Sequence, residues 1–223
     1  MLAVLMAPLA VYAQAIDWPA GSVLSAAQLK LLGEDAFFWS SPVTDDVFER
    51  IDGLSFGRGC TTKRSGLQYI HVLHRNFAGR SQVGEMICAQ AVAADLLAIF
   101  RELYDAGYPI EKMYLVDRYG ASDERSMADN NTSCFNFRPR PGQKTLSLHA
   151  GGLAVDINPL YNPYVKGAHS EPADGAQYAD RGRRCRYYIR KGDVCWKAFT
   201  RRGWNWGGSW RSAQDYQHFE KNH

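Results

Sequence analysis

His149 and Asp156 stand seven residues apart in SLHAGGLAVDINP (147–159), with two glycines and two alanines between them. An amphipathic helix has no use for that pattern, but a metal ion does. Zinc is bound by imidazole nitrogen and carboxylate oxygen at about 2.0–2.2 Å. LAVDI reads as a strand whose alternation sends Leu153, Val155 and Ile157 to the core and Ala154 with Asp156 to the other face. Gly151 and Gly152 permit the positive φ angles of a sharp turn. Such a turn swings His149 over the face that carries Asp156, and Ala154 leaves room between them. Of the six histidines, His71 and His74 lie three apart in a strand and so face opposite ways, His169 falls in a polar insert, and His223 is terminal. His218, in DYQHFE with Asp215 three residues before it, is the third ligand chosen, and one helical turn or a tight bend aligns the two side chains. His149, Asp156 and His218 leave a fourth position for water, the form of a catalytic site and not of a closed structural one. The competing use of these residue types is plain hydrogen bonding in a folded interior.

The elements that must hold these residues belong to one α+β domain with a small, mainly antiparallel sheet flanked by helices. LQYIHVLHRNF (67–77) and VGEMICA (83–89) read as strands of a hairpin, with AGRSQ as the turn. Residues 90–106 form a helix with Val92, Leu96, Leu97, Phe100, Leu103 and Tyr104 at helical spacing and Gly107 as its stop. MYLVDRY is predicted as a short strand, Ser122 as the cap of a helical turn, and TSCFNFRPRPG as a strand and loop. Residues 159–184 read as a loose polar insert, and DVCWKAFTRRG (193–203) as a helix. Residues 16–65 read as irregular apart from a helical pattern near Ser25–Leu32.

Composition sets the outer limits. The chain has 223 residues, 46% hydrophobic and 22% charged, enough for a buried core. A net charge of +3 is too weak to argue for nucleic acid. The basic run RGRRCRYYIRK (181–191) reads as a solvated hairpin or as a patch for an anionic polymer. Residues 1–15 are apolar and end in Ala13-Gln14-Ala15, an A-x-A signature that predicts a signal peptide, a mature start at Ile16 and a periplasmic or secreted protein. That run is too short for a stable membrane span. Five cysteines suit an oxidising compartment; Cys185–Cys195 is the expected disulfide, Cys60 and Cys134 the next couple, and Cys88 a buried free thiol.

Beyond these readings, S-x-H-x-x-G-x-A-x-D-I-N-P, G-W-x-W-G-G-x-W and D-Y-x-H-F-E together resemble the VanY-like zinc D-alanyl-D-alanine carboxypeptidases and their L-alanyl-D-glutamate endopeptidase relatives. FAGRSQVGEMICAQAVAADLLAIFRELYDAGYPIEKM and MADNNTSCFNFR extend the likeness over roughly residues 65–221. The resemblance implies a hedgehog/DD-peptidase-like catalytic domain over 65–223, with 16–64 as an N-terminal extension. It implies Zn2+ on His149, Asp156 and His218, Asp215 as general base with Glu220 as rival, and Arg138 for a substrate carboxylate or oxyanion. Ser147 is implied as a residue lining the substrate cleft, and the implied partners are peptidoglycan stem peptides; a monomer is expected, with the oligomeric state left open by the sequence. Gly151 and Ser209 depart from the family pattern. Trp204, Trp206 and Trp210 suit a cleft wall or a core equally. The alternative function is a non-catalytic zinc-containing module that binds the cell wall or signals.

Overall fold

A computed structural model describes residues 15–140 and 142–221, in a single α+β domain with small antiparallel sheets and several helices. Of the expected leader, residues 1–15, all but Ala15 lie outside the described residues.

The largest sheet is built on a hairpin of β3 (Leu67–Arg75) and β4 (Ser81–Ala89), paired from Leu67↔Ala89 to Arg75↔Ser81. Asn76 ends β3 earlier than its apolar neighbours suggest. Its side-chain oxygen accepts from the N–H groups of Ala78 and Arg80, each at 3.0 Å, and so closes the turn. Both strands are buried on both faces, which explains their near-continuous apolar sequence. Ile70, Val72, Met86 and Cys88 pack on α3 (Gln90–Asp105) through Val92, Leu96, Ile99, Phe100 and Leu103. Leu67, Tyr69 and Ile87 face the other way, onto Val43, Ile51, Leu115 and Phe135.

The segment read as irregular is structured. It supplies β1 (Val23–Leu24), α1 (Ala26–Leu32), β2 (Trp39–Pro42) and α2 (Asp45–Ile51). Strands β1 and β2 are the two edges of the hairpin sheet, in the order β1-β4-β3-β2. Two- and four-residue strands carry too little alternation to be recognised before their partners are known. Ser25 caps α1 as a capping box with Gln28. His71, on β3, contacts the carbonyls of Phe37 and Trp18 at 2.8 and 3.0 Å, and so belongs to the packing of this region.

MYLVDRY is not a strand. Residues Val116–Tyr119 form a 3-10 turn, and the peptide of Tyr114 is satisfied by the Asn131 side chain at 2.8 and 3.0 Å instead of by a neighbouring strand. Ser122 caps α4 (Asp123–Ala128) as expected. The Ser133–Phe137 stretch is extended but joined by isolated backbone bonds, to Asp156, Ile87, His149 and Ser55. A second sheet has the order β5-β10-β8, from β5 (Ala154–Asp156), β8 (Asn205–Trp206) and β10 (His218–Glu220). A third has the order β7-β6-β9, from β6 (Tyr164–Lys166), β7 (His169–Glu171) and β9 (Gln214–Asp215). Helix α5 (Val194–Thr200) buries Cys195, Ala198 and Phe199.

The insert of residues 159–184 is therefore not loose, since it carries the β6–β7 hairpin. Asn162 anchors it by donating to the carbonyls of Ile157, Asn158 and Tyr187. Arg181 is no solvated cation. It donates to the carbonyls of Tyr161 and Ile189 and to the Asn162 side chain, between the rings of Tyr188 and Tyr216, and burial pushes its pKa down to about 10. The rest of the basic run forms turns and not a hairpin.

The expected disulfide is absent. All five cysteines are free thiols, so neither Cys185–Cys195 nor Cys60–Cys134 is bonded. Cys195 lies on the inner face of α5 in the main core, while Cys185 sits part-exposed in a turn. Cys88 is the buried thiol predicted, pushed up to about 12 by burial.

One turn is tested directly. Gly152 has φ +69°, and a Cβ there would meet Ala89 N at 2.5 Å and Cys88 C at 2.8 Å, both backbone atoms that cannot swing away. Gly152→Ala is expected to cost about 2–5 kcal/mol, from left-handed strain of about 1–2 kcal/mol and overpacking of about 1–3 kcal/mol. Urea unfolding measures it, and a variant as stable as the parent would contradict this turn. Gly151, by contrast, has no positive φ, and a Cβ there would meet only Leu153 at 3.6 Å.

Candidate metal centre

Strand pairing assembles two of the three ligand candidates. In the β5/β10 pair His218 stands directly opposite Asp156, Phe219 opposite Val155 and Glu220 opposite Ala154. Residues opposite each other in an antiparallel pair project to the same face. Val155 and Phe219 therefore enter the core together, while Asp156, His218 and Glu220 share the other face. His149 reaches that face from the 3-10 turn Leu148–Gly151, which is capped by the Ser147 hydroxyl on the His149 N–H and released into β5 by left-handed Gly152. The chosen cluster is thus brought together: ligand atoms of His149, Asp156 and His218 lie within 4.8 Å of one another, all in buried residues.

The hydrogen-bond roles in this cluster point to a cation. The Nδ1 of His149 lies 2.6 Å from the Cys134 carbonyl, which can only accept, so this nitrogen carries the proton. His218 Nε2 lies 3.2 Å from the Glu220 carboxylate and is its donor. In the neutral rings the remaining nitrogens, His149 Nε2 and His218 Nδ1, are then bare lone pairs. They stand 3.3 Å apart, and 3.1 and 3.0 Å from the two oxygens of Asp156. Three electron-rich groups face one another at one point, with their outer partners holding the ring orientations, as metal-ligating histidines are held. With only protons to share, burial opposes the charge on His218, but Asp156 and Glu220 outweigh it and raise its pKa to about 10. Burial likewise opposes the Asp156 carboxylate, and His149 with His218 outweighs it and holds it well below the usual range.

The cluster opens on a cleft of about 470 Å³. Asp215, Arg138 and Ser147 all line it, as the sequence suggested. Asp215 ends β9 and His218 begins β10, so a tight two-residue bend and not a helix aligns them. Burial, with the charges of Asp156 and Asp123 added, outweighs His218 and Arg138 and pushes the Asp215 carboxyl up to about 7. Its Oδ1 has no partner among the described residues. Arg138 is ion-paired with Asp123, at the first turn of α4, and its Nε has no partner among the described residues. Ser147 has a second use, since its oxygen caps the turn that carries His149.

Sequence reasoning missed several parts of this site. Gly207 is the clearest: a Cβ there would lie 2.8 Å from Asp215 O and 3.3 Å from His218 Cβ, so only glycine lets the bend close. The GWxWGG motif was the available signal. Asp123 has no sequence signal beyond its place in the first turn after the Ser122 cap. The insert forms a wall of the cleft with Tyr164, Lys166, His169 and Glu171, which reading it as loose had hidden. The tryptophans divide: Trp204 and Trp206 are core, and Trp210, 37% exposed, lines the cleft. Neither Gly151 nor Ser209 lines it.

Residues 141–221 match a family model described as D-alanyl-D-alanine carboxypeptidase. The match agrees with the family that the motifs resemble. It contains the three residues of the cluster and Asp215, together with the insert wall; Asp123 and Arg138 precede it. No curated protein and no solved structure matches the chain. Among the described residues, no helix is long and apolar enough to cross a membrane.

Proposed function

We propose that this protein is a zinc peptidase that hydrolyses peptide bonds in peptidoglycan stem peptides outside the cytoplasm. The observation that carries the reading is the convergence of three lone-pair groups on one point at the floor of an open cleft. Two nitrogens each about 2.0–2.1 Å from a tetrahedral zinc stand about 3.3 Å apart, and 3.3 Å is the separation of His149 Nε2 and His218 Nδ1. Zinc held there lowers the pKa of a water to about 7 and polarises a carbonyl.

The chain's own residues divide the remaining work. Asp215, whose carboxyl burial pushes up to about 7, accepts the proton of the attacking water and returns it to the leaving amine. Arg138 offers planar, permanently charged donors to a substrate carboxylate or to the oxygen on which charge develops. Asp123 holds that guanidinium in place. Cys134 O and Glu220 keep the two imidazoles turned with their lone pairs inward. A structural metal site would be closed by a fourth protein ligand; the open cleft with Asp215 and Arg138 beside it supports an enzyme over a silent wall-binding module.

Export is part of the proposal and rests on the apolar run that ends in Ala13-Gln14-Ala15. The experiment is metal analysis of the exported protein, with its intact mass, followed by product identification on purified stem peptides. One zinc per chain, a start near Ile16 and release of D-alanine or of an internal fragment are expected. A zinc-loaded protein inert on every stem peptide would overturn the reading.

A further inference from the structure

One face of the third sheet walls the cleft. Tyr164 of β6 stands opposite Asp215 of β9 on one side and opposite Glu171 of β7 on the other, and Lys166 stands opposite His169. Residues opposite each other project to the same face, and so do residues two apart along a strand. These five residues therefore share a face, and all five line the cleft; Val165, Ser170 and Gln214 alternate to the other side and do not. Contacts across the face agree: the rings of Tyr164 and His169 meet edge to face at 6.4 Å, and His169 Nε2 lies 2.8 Å from Glu171. The acids around Lys166 are already engaged. His169 holds Glu171, Arg138 holds Asp123, and His218 holds Glu220. Lys166 is exposed, lines the same cleft and has no carboxylate partner among the described residues. A cleft whose acids are matched and which keeps an unmatched cation attracts an anion. Lys166 lies two residues along β6 from the row of Tyr164 and Asp215, a displacement of about 7 Å. Two residues of an extended peptide cover about the same length.

We propose that Lys166 is a specificity residue whose ammonium binds a carboxylate of the peptide substrate about two residues from the cut bond. The inference rests on the peptidase reading. It narrows the substrate to stem peptides that carry a free carboxylate away from the reacting carbonyl. An acid is required because the lysine ammonium has three donors and no acceptor, and its charge is unmatched by the wall around it. A contact this far from the reacting atoms is made alike in the ground state and the transition state, so its loss appears in KM and not in kcat.

The test pairs Lys166→Met with substrate analogues. Once the cut bond is known from products, each carboxylate that is not on the released residue is converted in turn to a carboxamide. In the parent enzyme one conversion is expected to raise KM about 2- to 5-fold, the range of one solvent-exposed ion pair, with kcat held. In Lys166→Met, KM for the unmodified peptide is expected to rise by a similar factor, and that same carboxamide is expected to cost nothing more. Lys166→Arg, which keeps the charge, is expected to restore KM. If no conversion affects the parent, the proposal is overturned whatever the variants do. It is equally overturned if Lys166→Met stays sensitive to the same conversion, since the carboxylate is then held elsewhere, for instance by Arg140, which also lines the cleft. A zinc-loaded parent that cuts no stem peptide defeats the peptidase reading and this inference with it, whereas an active parent with an indifferent Lys166 defeats this inference alone.

Discussion

His149→Ala and His218→Ala proteins are expected to lose zinc and, with it, essentially all peptide hydrolysis. Each removes one of two imidazole lone pairs that stand 3.3 Å apart over the Asp156 carboxylate. Neither loss can be repaired locally. His71 and His74 are held on the hairpin sheet by backbone carbonyls, and His169, the other histidine of the cleft, is bonded to Glu171 at 2.8 Å. Glu220→Gln supplies the graded control. Its carboxylate orients His218 from outside the cluster, and loss of such a partner costs about 10–100-fold in metal affinity. The direct ligands should exceed that range. Elemental analysis, a competition titration with a chelator and turnover of one stem peptide measure the series. Full zinc occupancy in either histidine variant would remove this site from consideration, and a Glu220→Gln loss as complete as theirs would make Glu220 a ligand.

Asp215→Asn is expected to keep its zinc and lose about 10²–10⁴-fold in kcat/KM, the usual contribution of a general base. Asparagine preserves the shape of the side chain in its bend against Gly207, so folding is spared. The structure distinguishes Asp215 from its rival by what each carboxylate is already bonded to. The hydrogen bond from His218 outweighs burial at Glu220 and holds it below the usual carboxylate range, so Glu220 is a poor proton acceptor near neutral pH. Burial pushes Asp215 up to about 7, where a base at neutral pH works best. Rate and zinc content are measured together on both variants. An active Asp215→Asn beside a dead, zinc-replete Glu220→Gln would reverse the roles.

The legible parts of this protein were those fixed by local pattern. Period-two alternation in LAVDI put Val155 and Ile157 in the core and Asp156 on the other face, and β5 obeys it. Helical spacing located α3, and the Ser25 and Ser122 caps located two shorter helices. The ligand set was reachable because six histidines leave few choices once strand faces are assigned. What stayed hidden depends on partners distant in the chain. The register that sets His218 opposite Asp156 joins residues 62 apart, and no local preference encodes it. Tyr114 spends its backbone bonds on Asn131, so a β-prone run became a turn. Cys195 faces the core because α5 buries that side, which cancels a disulfide that spacing alone allowed. The polar insert looked loose because its order comes from Asn162, Arg181 and pairing with β9, contacts made across the fold. The sequence by itself determined the candidate residues and the faces they occupy; tertiary structure decided which of them meet and what walls the cleft, because each of those depends on distances closed only when remote segments pack.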